Sequence, residues 1–265
     1  MALALLWLAG CAQPAEDYLA EANGAPFEAD AGPGADASPA ATPVGPTVLG
    51  ARSIPLTDVA EPRGLAVHGD HLWTTDRADD RLVEFDLDGR QVSATPLPAR
   101  GARALAWHDD ALFVGYADRL YRLDGDAAVL VAEGLRDLQG LTTGERGLVS
   151  AEGDHLNVRA APRFATVLEI DLDGAPGPLT RFGADYLLYD RSPRTDGVTF
   201  SARFTVADAS SPSRATPRGT VDLPADLGRV TGVAAEGGTL YLVGAGYGGD
   251  LGRVVALDLA PEPGR

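Results

Sequence analysis

The feature that most constrains the fold of this chain is a repeat of short apolar segments. Its first copy has four segments, joined by polar turns, at residues 64–67, 72–76, 81–87 and 92–97. Each segment is four to seven residues long and rich in β-branched and aromatic residues, which is typical of strands. The turn Asp88-Gly89 supplies the positive φ that a tight hairpin needs. One copy therefore predicts four short antiparallel strands.

The pattern recurs along most of the chain. Its first strands are predicted to start at residues 64, 104, 140, 197 and 232, with spacings of 40, 36, 57 and 35 residues. Four consecutive antiparallel strands form one blade of a β-propeller, so we predict an all-β propeller of four-stranded blades. Five units are visible and favour five blades. Six blades are the alternative, with a degenerate unit at residues 184–190 inside the long interval.

The last unit lacks its outer strand, because the chain has only a five-residue tail, 261–265, after its third strand. The segment 48–56 precedes the first unit and has no partner of its own. We therefore predict that it completes the last blade and closes the ring, which removes an exposed sheet edge. The propeller domain is predicted to span residues 48–260.

The first unit also resembles a known superfamily. Its segments Gly-Leu-Ala-Val (64–67), Leu-Trp-Thr-Thr-Asp (72–76) and Arg-Leu-Val-Glu-Phe-Asp (81–86) are similar to the repeats of NHL, strictosidine-synthase-like and gluconolactonase-like propellers. The resemblance extends loosely over residues 48–260 and implies the same fold. In the gluconolactonase-like family an Asp-Gly motif carries a calcium-ligating, proton-transferring Asp.

The N-terminal segment resembles the end of a bacterial lipoprotein signal. An apolar run is followed by Leu8-Ala9-Gly10-Cys11 and then by a polar sequence. The resemblance implies that residues 1–10 are a cleaved signal peptide and that Cys11 is lipidated. Ala12 is not an acidic retention residue, which slightly favours the outer membrane. Because no run of ~20 apolar residues exists, the lipid is the only predicted membrane anchor.

Residues 11–47 are predicted to be a disordered tether between the lipid and the propeller. From residue 12 to 47 the chain has 11 Ala, 6 Pro and 4 Gly among 36 residues, with six acidic residues and no basic one. Such a composition cannot bury enough apolar surface to order itself. The predicted location is therefore the extracytoplasmic face of a bacterial envelope membrane.

Charge and cysteine content exclude several functions. The chain has 22 Lys+Arg against 38 Asp+Glu, a formal net charge of −16, and every basic residue is Arg. Nucleic acid is therefore an improbable partner. The single cysteine excludes an internal disulfide and a thiolate zinc site. The predicted partner is a small anionic or polyhydroxyl ligand or an envelope protein.

Candidate ligand-binding residues lie at equivalent places in the repeats. Loops at one face of a propeller surround the channel mouth, and function concentrates in loops held by a rigid scaffold. The residues just before each predicted first strand are Arg63, Arg103, Gln139, Asp196 and Thr231. Polar residues that end the second strands are Asp76, Glu152 and Asp208.

Arg63 and Arg103 come from adjacent blades and are predicted to form an anion-preferring site facing Asp196 and Gln139. The alternative is a structural ion network in which Asp76 and Asp196 neutralise both arginines. We favour a non-enzymatic binding protein and assign no catalytic or metal-ligating residue and no cofactor. The competing hypothesis is a metal-dependent lactonase or hydrolase with calcium at Asp196, but two guanidinium groups would oppose a cation there.

Overall fold

The computed structural model describes residues 46–125, 127–172, 176–183, 185–195, 200–208, 216–222, 229–245 and 252–260. Side chains in 190–195, 200–208 and 216–222 and those of Pro176 and Ala245 are outside this description. The chain divides into two units, Met1–Ala40 and Ala41–Arg265, and all described residues belong to the second. The predicted signal peptide, Cys11 and residues 261–265 therefore lie outside the described residues.

The described strands form five four-stranded antiparallel sheets. Sheet 1 contains β2 (Pro62–His68), β3 (His71–Asp76), β4 (Arg81–Asp86) and β5 (Gln91–Pro96). Sheet 2 contains β6 (Ala104–His108), β7 (Ala111–Gly115), β8 (Arg119–Asp124) and β9 (Ala127–Glu133). Sheet 3 contains β10 (Leu138–Thr143), β11 (Leu148–Glu152), β12 (His155–Ala160) and β13 (Ala165–Asp171).

The remaining two sheets complete the arrangement. Sheet 4 contains β14 (Pro176–Phe182), β15 (Asp185–Thr195), β16 (Phe200–Asp208) and β17 (Thr216–Asp222). Sheet 5 contains β18 (Arg229–Glu236), β19 (Thr239–Ala245), β20 (Arg253–Leu259) and β1 (Val48–Pro55). The prediction of an all-β propeller with four-stranded blades is confirmed.

The first strands of the sheets surround the channel. They contact one another in the order β2, β6, β10, β14 and β18, and β18 contacts β2. A separate apolar cluster fills each gap between neighbouring sheets. Phe85, for example, is fully buried between sheets 5 and 1, and Phe113 is buried between sheets 2 and 3. Because strand side chains alternate between faces, each sheet serves two of these clusters.

The N-terminal strand completes the last sheet, as predicted. β1 runs antiparallel to β20, with Ile54 opposite Val254 and Pro55 opposite Arg253. Ile54 is buried, while most other β1 side chains are exposed, as befits an outer strand. The two ends of the domain are thus held in one sheet.

The sequence analysis placed the fourth unit incorrectly. Sheet 4 does not begin at the predicted place: its first strand is β14, and Phe200 starts β16, its third strand. Residues 185–190, assigned to a possible sixth unit, belong to β15, the second strand of sheet 4. The sequence does not identify β14 as a strand because it contains Pro176 and Pro178, and proline is uncommon within a sheet.

The inner strands approach one another very closely below the channel mouth. A Cβ on Gly232 would lie 2.5 Å from the Gly64 carbonyl carbon, so the β18–β2 contact requires glycine there. Register shifts interrupt β2 between Arg63 and Leu65, β10 between Leu138 and Gly140, and β18 between Val230 and Gly232. Such bulges re-aim the neighbouring side chains, here at the channel mouth.

Candidate functional site

A polar cleft with a volume of about 590 Å³ lies over the inner strands. We call it the mouth cleft. Its charged and hydrogen-bonding side chains are Arg63, Arg77, Arg100, Arg103, Tyr116, Asp118, Arg119, Asp137, Gln139, Arg229 and Thr231. Four of the residues named from the sequence are therefore brought together here, namely Arg63, Arg103, Gln139 and Thr231.

The position in sheet 4 that corresponds to Arg63 is Gly177, not Asp196. Pro178 and Leu179 line the constriction of the channel beside Gly64 and Leu65, which fixes the alignment of the two strands. The prediction that Asp196 precedes a first strand is therefore wrong, because the chain enters sheet 4 at β14. Asp196 itself lies outside the described residues.

Asp208 is also misplaced by the predicted repeat. It ends β16, which is a third strand, and not a second strand as expected. Its side chain lies outside the described residues. The role of Asp208 as a ligand contact therefore stays a prediction.

Asp76 is buried beneath the cleft and holds a loop in place. Its carboxylate accepts hydrogen bonds from the backbone N–H groups of Ala60, Glu61 and Ala78. It also pairs with Arg81 at 3.2 Å, and its side chain is 0% exposed. Asp76 therefore pairs with Arg81 on the adjacent strand and not with Arg63, as the sequence-based alternative had it.

Glu152 has the same structural role in sheet 3, where it fixes a loop. Its carboxylate accepts two hydrogen bonds from Arg159 Nη2, at 2.7 and 2.9 Å, and a third from Arg159 Nε at 2.9 Å. Ser150 and the Arg136 backbone N–H also donate to it. Because the pair is almost fully buried, Glu152 ties the loop before β10 to the sheet and does not line the mouth cleft.

Thr231 reaches the cleft but uses its hydroxyl for the fold. Oγ1 donates to the Pro62 carbonyl oxygen at 2.7 Å, which joins sheet 5 to sheet 1. The residue is nearly buried at 9% exposure. Thr231 therefore shapes the cleft wall, and its hydroxyl already has an acceptor.

Four cleft arginines are paired with a carboxylate. Arg77 lies 3.8 Å from Glu61, Arg100 lies 3.2 Å from Asp80, and Arg119 lies 2.9 Å from Asp118. Arg103 pairs with Asp137. The Asp118 carboxyl has a lowered pKa because Arg119 hydrogen-bonds to it. These pairs are largely exposed, so each contributes little to stability.

Arg63 and Arg229 differ from the other cleft arginines. Within the described part of the chain, neither forms a salt bridge with a carboxylate. The pKa of Arg63 is lowered, first by partial burial and then by the positive charges of Arg77 and Arg229. The carboxylate of Glu61 opposes this effect from a distance. Arginine in any case stays protonated in proteins. The mouth cleft thus holds two cations without a salt-bridge partner among the described residues.

Tyr116 adds a hydroxyl to the cleft wall at the position that corresponds to Asp76 and Glu152. Its ring is 3% exposed and stacks edge-on against Tyr121. The hydroxyl is buried, near the Ala99 backbone, without a hydrogen bond of normal geometry. Burial raises the pKa of Tyr116 to about 12, so the group is a neutral donor at physiological pH.

Sequence reasoning missed Arg77, Arg100 and Arg229 as cleft residues. Arg77 and Arg100 lie in loops after β3 and β5. The sequence repeat does not extend into these loops, so their residues could not be aligned between units. Arg229 begins β18, two residues before the position that was considered. The sequence feature that could have indicated these residues is the abundance of arginine in the loops at one face of the propeller.

Among the described residues, no group of three or more His, Cys, Asp or Glu side chains is arranged to hold a metal ion. Within the same ranges, no helix has the length and apolar character of a bilayer-spanning segment. The lactonase hypothesis depends on Asp196, outside these ranges, and stays a prediction.

Comparison with known proteins adds information on the fold alone. No family model matches the chain, and no curated protein sequence matches it. Among solved structures, the glutaminyl cyclase of Myxococcus xanthus is 16% identical with a TM-score of 0.57, covering 82% of this chain and 97% of that one. The PQQ-bound aldose sugar dehydrogenase of Streptomyces coelicolor is 14% identical with a TM-score of 0.51, covering 82% and 98%. These likenesses support a β-propeller of four-stranded blades.

Proposed function

We propose that this protein is a non-enzymatic, membrane-tethered propeller that binds a small anionic ligand in the mouth cleft. The observation that carries the proposal is the pair Arg63 and Arg229, two cations in a cleft of a protein whose net charge is −16. Concentrating arginine there, against the overall charge, makes the cleft attractive to anions. The planar guanidinium fork is suited to carboxylate or phosphate oxygens.

The charge balance of the cleft specifies the ligand further. Four of its six arginines form a salt bridge with a carboxylate, whereas Arg63 and Arg229 have no such partner in the part of the chain that the structure describes. A ligand with two negative charges, such as a dicarboxylate or a phosphate monoester, would neutralise this pair. The buried Tyr116 hydroxyl and Gln139 flank the cleft as neutral polar groups. A polyhydroxyl ligand would leave both cations without a counter-charge, so we favour the dianion.

Calorimetric titration tests the proposal. We expect sulfate, phosphate and succinate to bind at low ionic strength, and nitrate and glucose to bind much more weakly. Charged hydrogen bonds contribute about 1.5–3 kcal/mol each, so Arg63→Ala with Arg229→Ala should weaken sulfate binding by at least ~100-fold. The matched control is Arg90→Ala, an exposed arginine on the β4–β5 turn. Equal affinities for sulfate and nitrate, or unchanged sulfate affinity in the double variant, would contradict the proposal.

The proposal includes an extracytoplasmic location with a lipid on Cys11. Its support is the lipoprotein-like sequence before Cys11 and the acidic, Ala/Pro/Gly-rich segment that follows. Acyl chains hold a protein stably only when two or more are attached, as on a diacylated cysteine. Metabolic labelling with a fatty-acid analogue should mark the protein, and Cys11→Ser should abolish both the label and membrane sedimentation. An unlabelled wild-type protein would refute this part.

We further propose that the five sheets are the complete set of blades. The support is the cyclic sequence of contacts among the first strands and the closure through β1. The competing enzymatic hypothesis predicts that calcium binds at Asp196, and calorimetry with calcium alone tests it. The alternative partner is an envelope protein at the same face, and excess sulfate should displace it if its contacts are acidic.

A further inference from the structure

A second cleft, with a volume of about 540 Å³, lies between sheets 1 and 2 and away from the mouth cleft. It includes the β6–β7 turn at Asp110 and the β8–β9 turn at Gly125, which lie at the opposite ends of their strands from the mouth. We call it the side cleft. The proposed function uses none of its residues.

The side cleft lies beside the apolar cluster of the gap between sheets 1 and 2, where the third and fourth strands of sheet 1 carry polar residues. Cross-strand pairing places Trp73, Glu84 and Ser93 in one row on the face of sheet 1 that meets sheet 2. The matching third- and fourth-strand positions in sheet 3 are Val158 and Leu168, which pack in an apolar cluster. Glu84 and Ser93 cannot extend the apolar cluster in that way, so this part of the gap stays an open groove lined by Trp73.

Two indole rings form the floor of this groove. Trp73 and Trp107 are both partly exposed, and their ring centroids lie 5.0 Å apart in an edge-to-face arrangement. His71 stacks on Trp73 and His68 stacks on Trp107, which fixes the orientation of each ring. Tryptophan has the most favourable aromatic face for a cation.

The walls of the groove carry a negative excess. Glu84, Asp110 and Asp124 line it, against a single Arg122 that lies 3.9 Å from Asp124. The Glu84 carboxylate is held by Ser93, whose hydroxyl donates to it at 2.7 Å, and His71 Nδ1 lies 2.8 Å from it without the geometry of a hydrogen bond. A half-buried carboxylate in a fixed position above two indoles is therefore available to a ligand.

We propose that the side cleft binds an organic ammonium cation. The indole faces attract a positive charge through the ring quadrupole, and Glu84 with Asp110 supplies the compensating charge. A neutral sugar ring could also stack on tryptophan, but it would not use the negative excess of the walls. The site is independent of the mouth cleft, because the two share no lining residue.

Choline and its uncharged isostere 3,3-dimethylbutan-1-ol test this proposal directly. Trp73 and Trp107 are two of the three tryptophans in the chain, so choline should change the intrinsic fluorescence. We expect the isostere and glucose to bind at least 10-fold more weakly than choline. Equal binding of choline and its isostere, tighter binding of glucose, or no choline binding at millimolar concentrations would overturn the proposal.

Two variants locate the site. Glu84→Gln keeps the shape of the side chain and should weaken choline binding at least 5-fold while the melting temperature changes little. Trp73→Phe, chosen because Trp73 also packs between sheets, should weaken it further. Arg229→Ala in the mouth cleft is the control and should leave choline affinity unchanged. Unchanged affinity in folded Glu84→Gln protein would refute the assignment.

Discussion

Replacing Arg159 with methionine should destabilise the protein strongly without affecting anion binding. Arg159 is 8% exposed and its partner Glu152 is 1% exposed, so the substitution leaves a carboxylate buried without its counter-charge. It also removes the donor to the Phe164 carbonyl oxygen. Breaking a buried pair in this way costs about 3–5 kcal/mol. For a domain of this size that loss corresponds to a fall in Tm of roughly 6–20 °C.

Urea unfolding and sulfate titration on the same variants provide the measurement. Adding Glu152→Gln to Arg159→Met should recover about 1–2 kcal/mol, because a neutral amide still accepts from Ser150 and the Arg136 N–H without a buried charge. Sulfate affinity should stay within twofold of wild type in every folded variant. A tenfold loss of affinity with an unchanged Tm would show that Glu152 contacts ligand and would refute the structural role.

Three further outcomes follow from the geometry of the mouth cleft and the channel. Because the folded-state pKa of Tyr116 is raised from 10.0 to about 12, the stability that it contributes is complete below pH 10 and is lost as pH rises toward 12. Urea titrations should show that decline and show less of it in Tyr116→Phe. Gly232→Ala should cost about 1–3 kcal/mol through overpacking, since its Cβ would lie 2.5 Å from the Gly64 backbone, and an unchanged urea midpoint would contradict this contact. Arg63→Met should leave the Tm of the ligand-free protein unchanged or slightly raised, because burial and neighbouring positive charges disfavour the guanidinium, and a large fall would indicate a structural ion network.

The architecture could be predicted from local signals in the sequence. Segments such as 64–67 and 72–76 alternate or cluster apolar residues over strand lengths, and each turn carries residues that permit tight reversal. The missing last strand and the unpaired segment 48–56 together indicated the closure that β1 and β20 make. Strand formation and pairing of sequence neighbours are local properties, so one sequence reveals them.

The fourth sheet shows where this reasoning fails. Residues 197–200 have the residue pattern of a first strand, whereas β14 contains Pro176 and Pro178 and has little of it. The strands of the fourth unit were therefore numbered from the wrong strand, and Asp196 was assigned to the position that Gly177 occupies. The assignment depends on which strands pair across the sheet, and pairing is a tertiary property.

The chemistry of the site was decided by tertiary structure as well. The sequence placed Arg63 and Arg103 near each other, but only the folded chain pairs Arg103 with Asp137 and Asp76 with Arg81. Likewise Arg229, far from Arg63 in sequence, faces the same cleft because sheet 5 closes onto sheet 1. Residue type determines which charges are available, whereas the meeting of distant loops determines which of them are neutralised and which can bind a ligand.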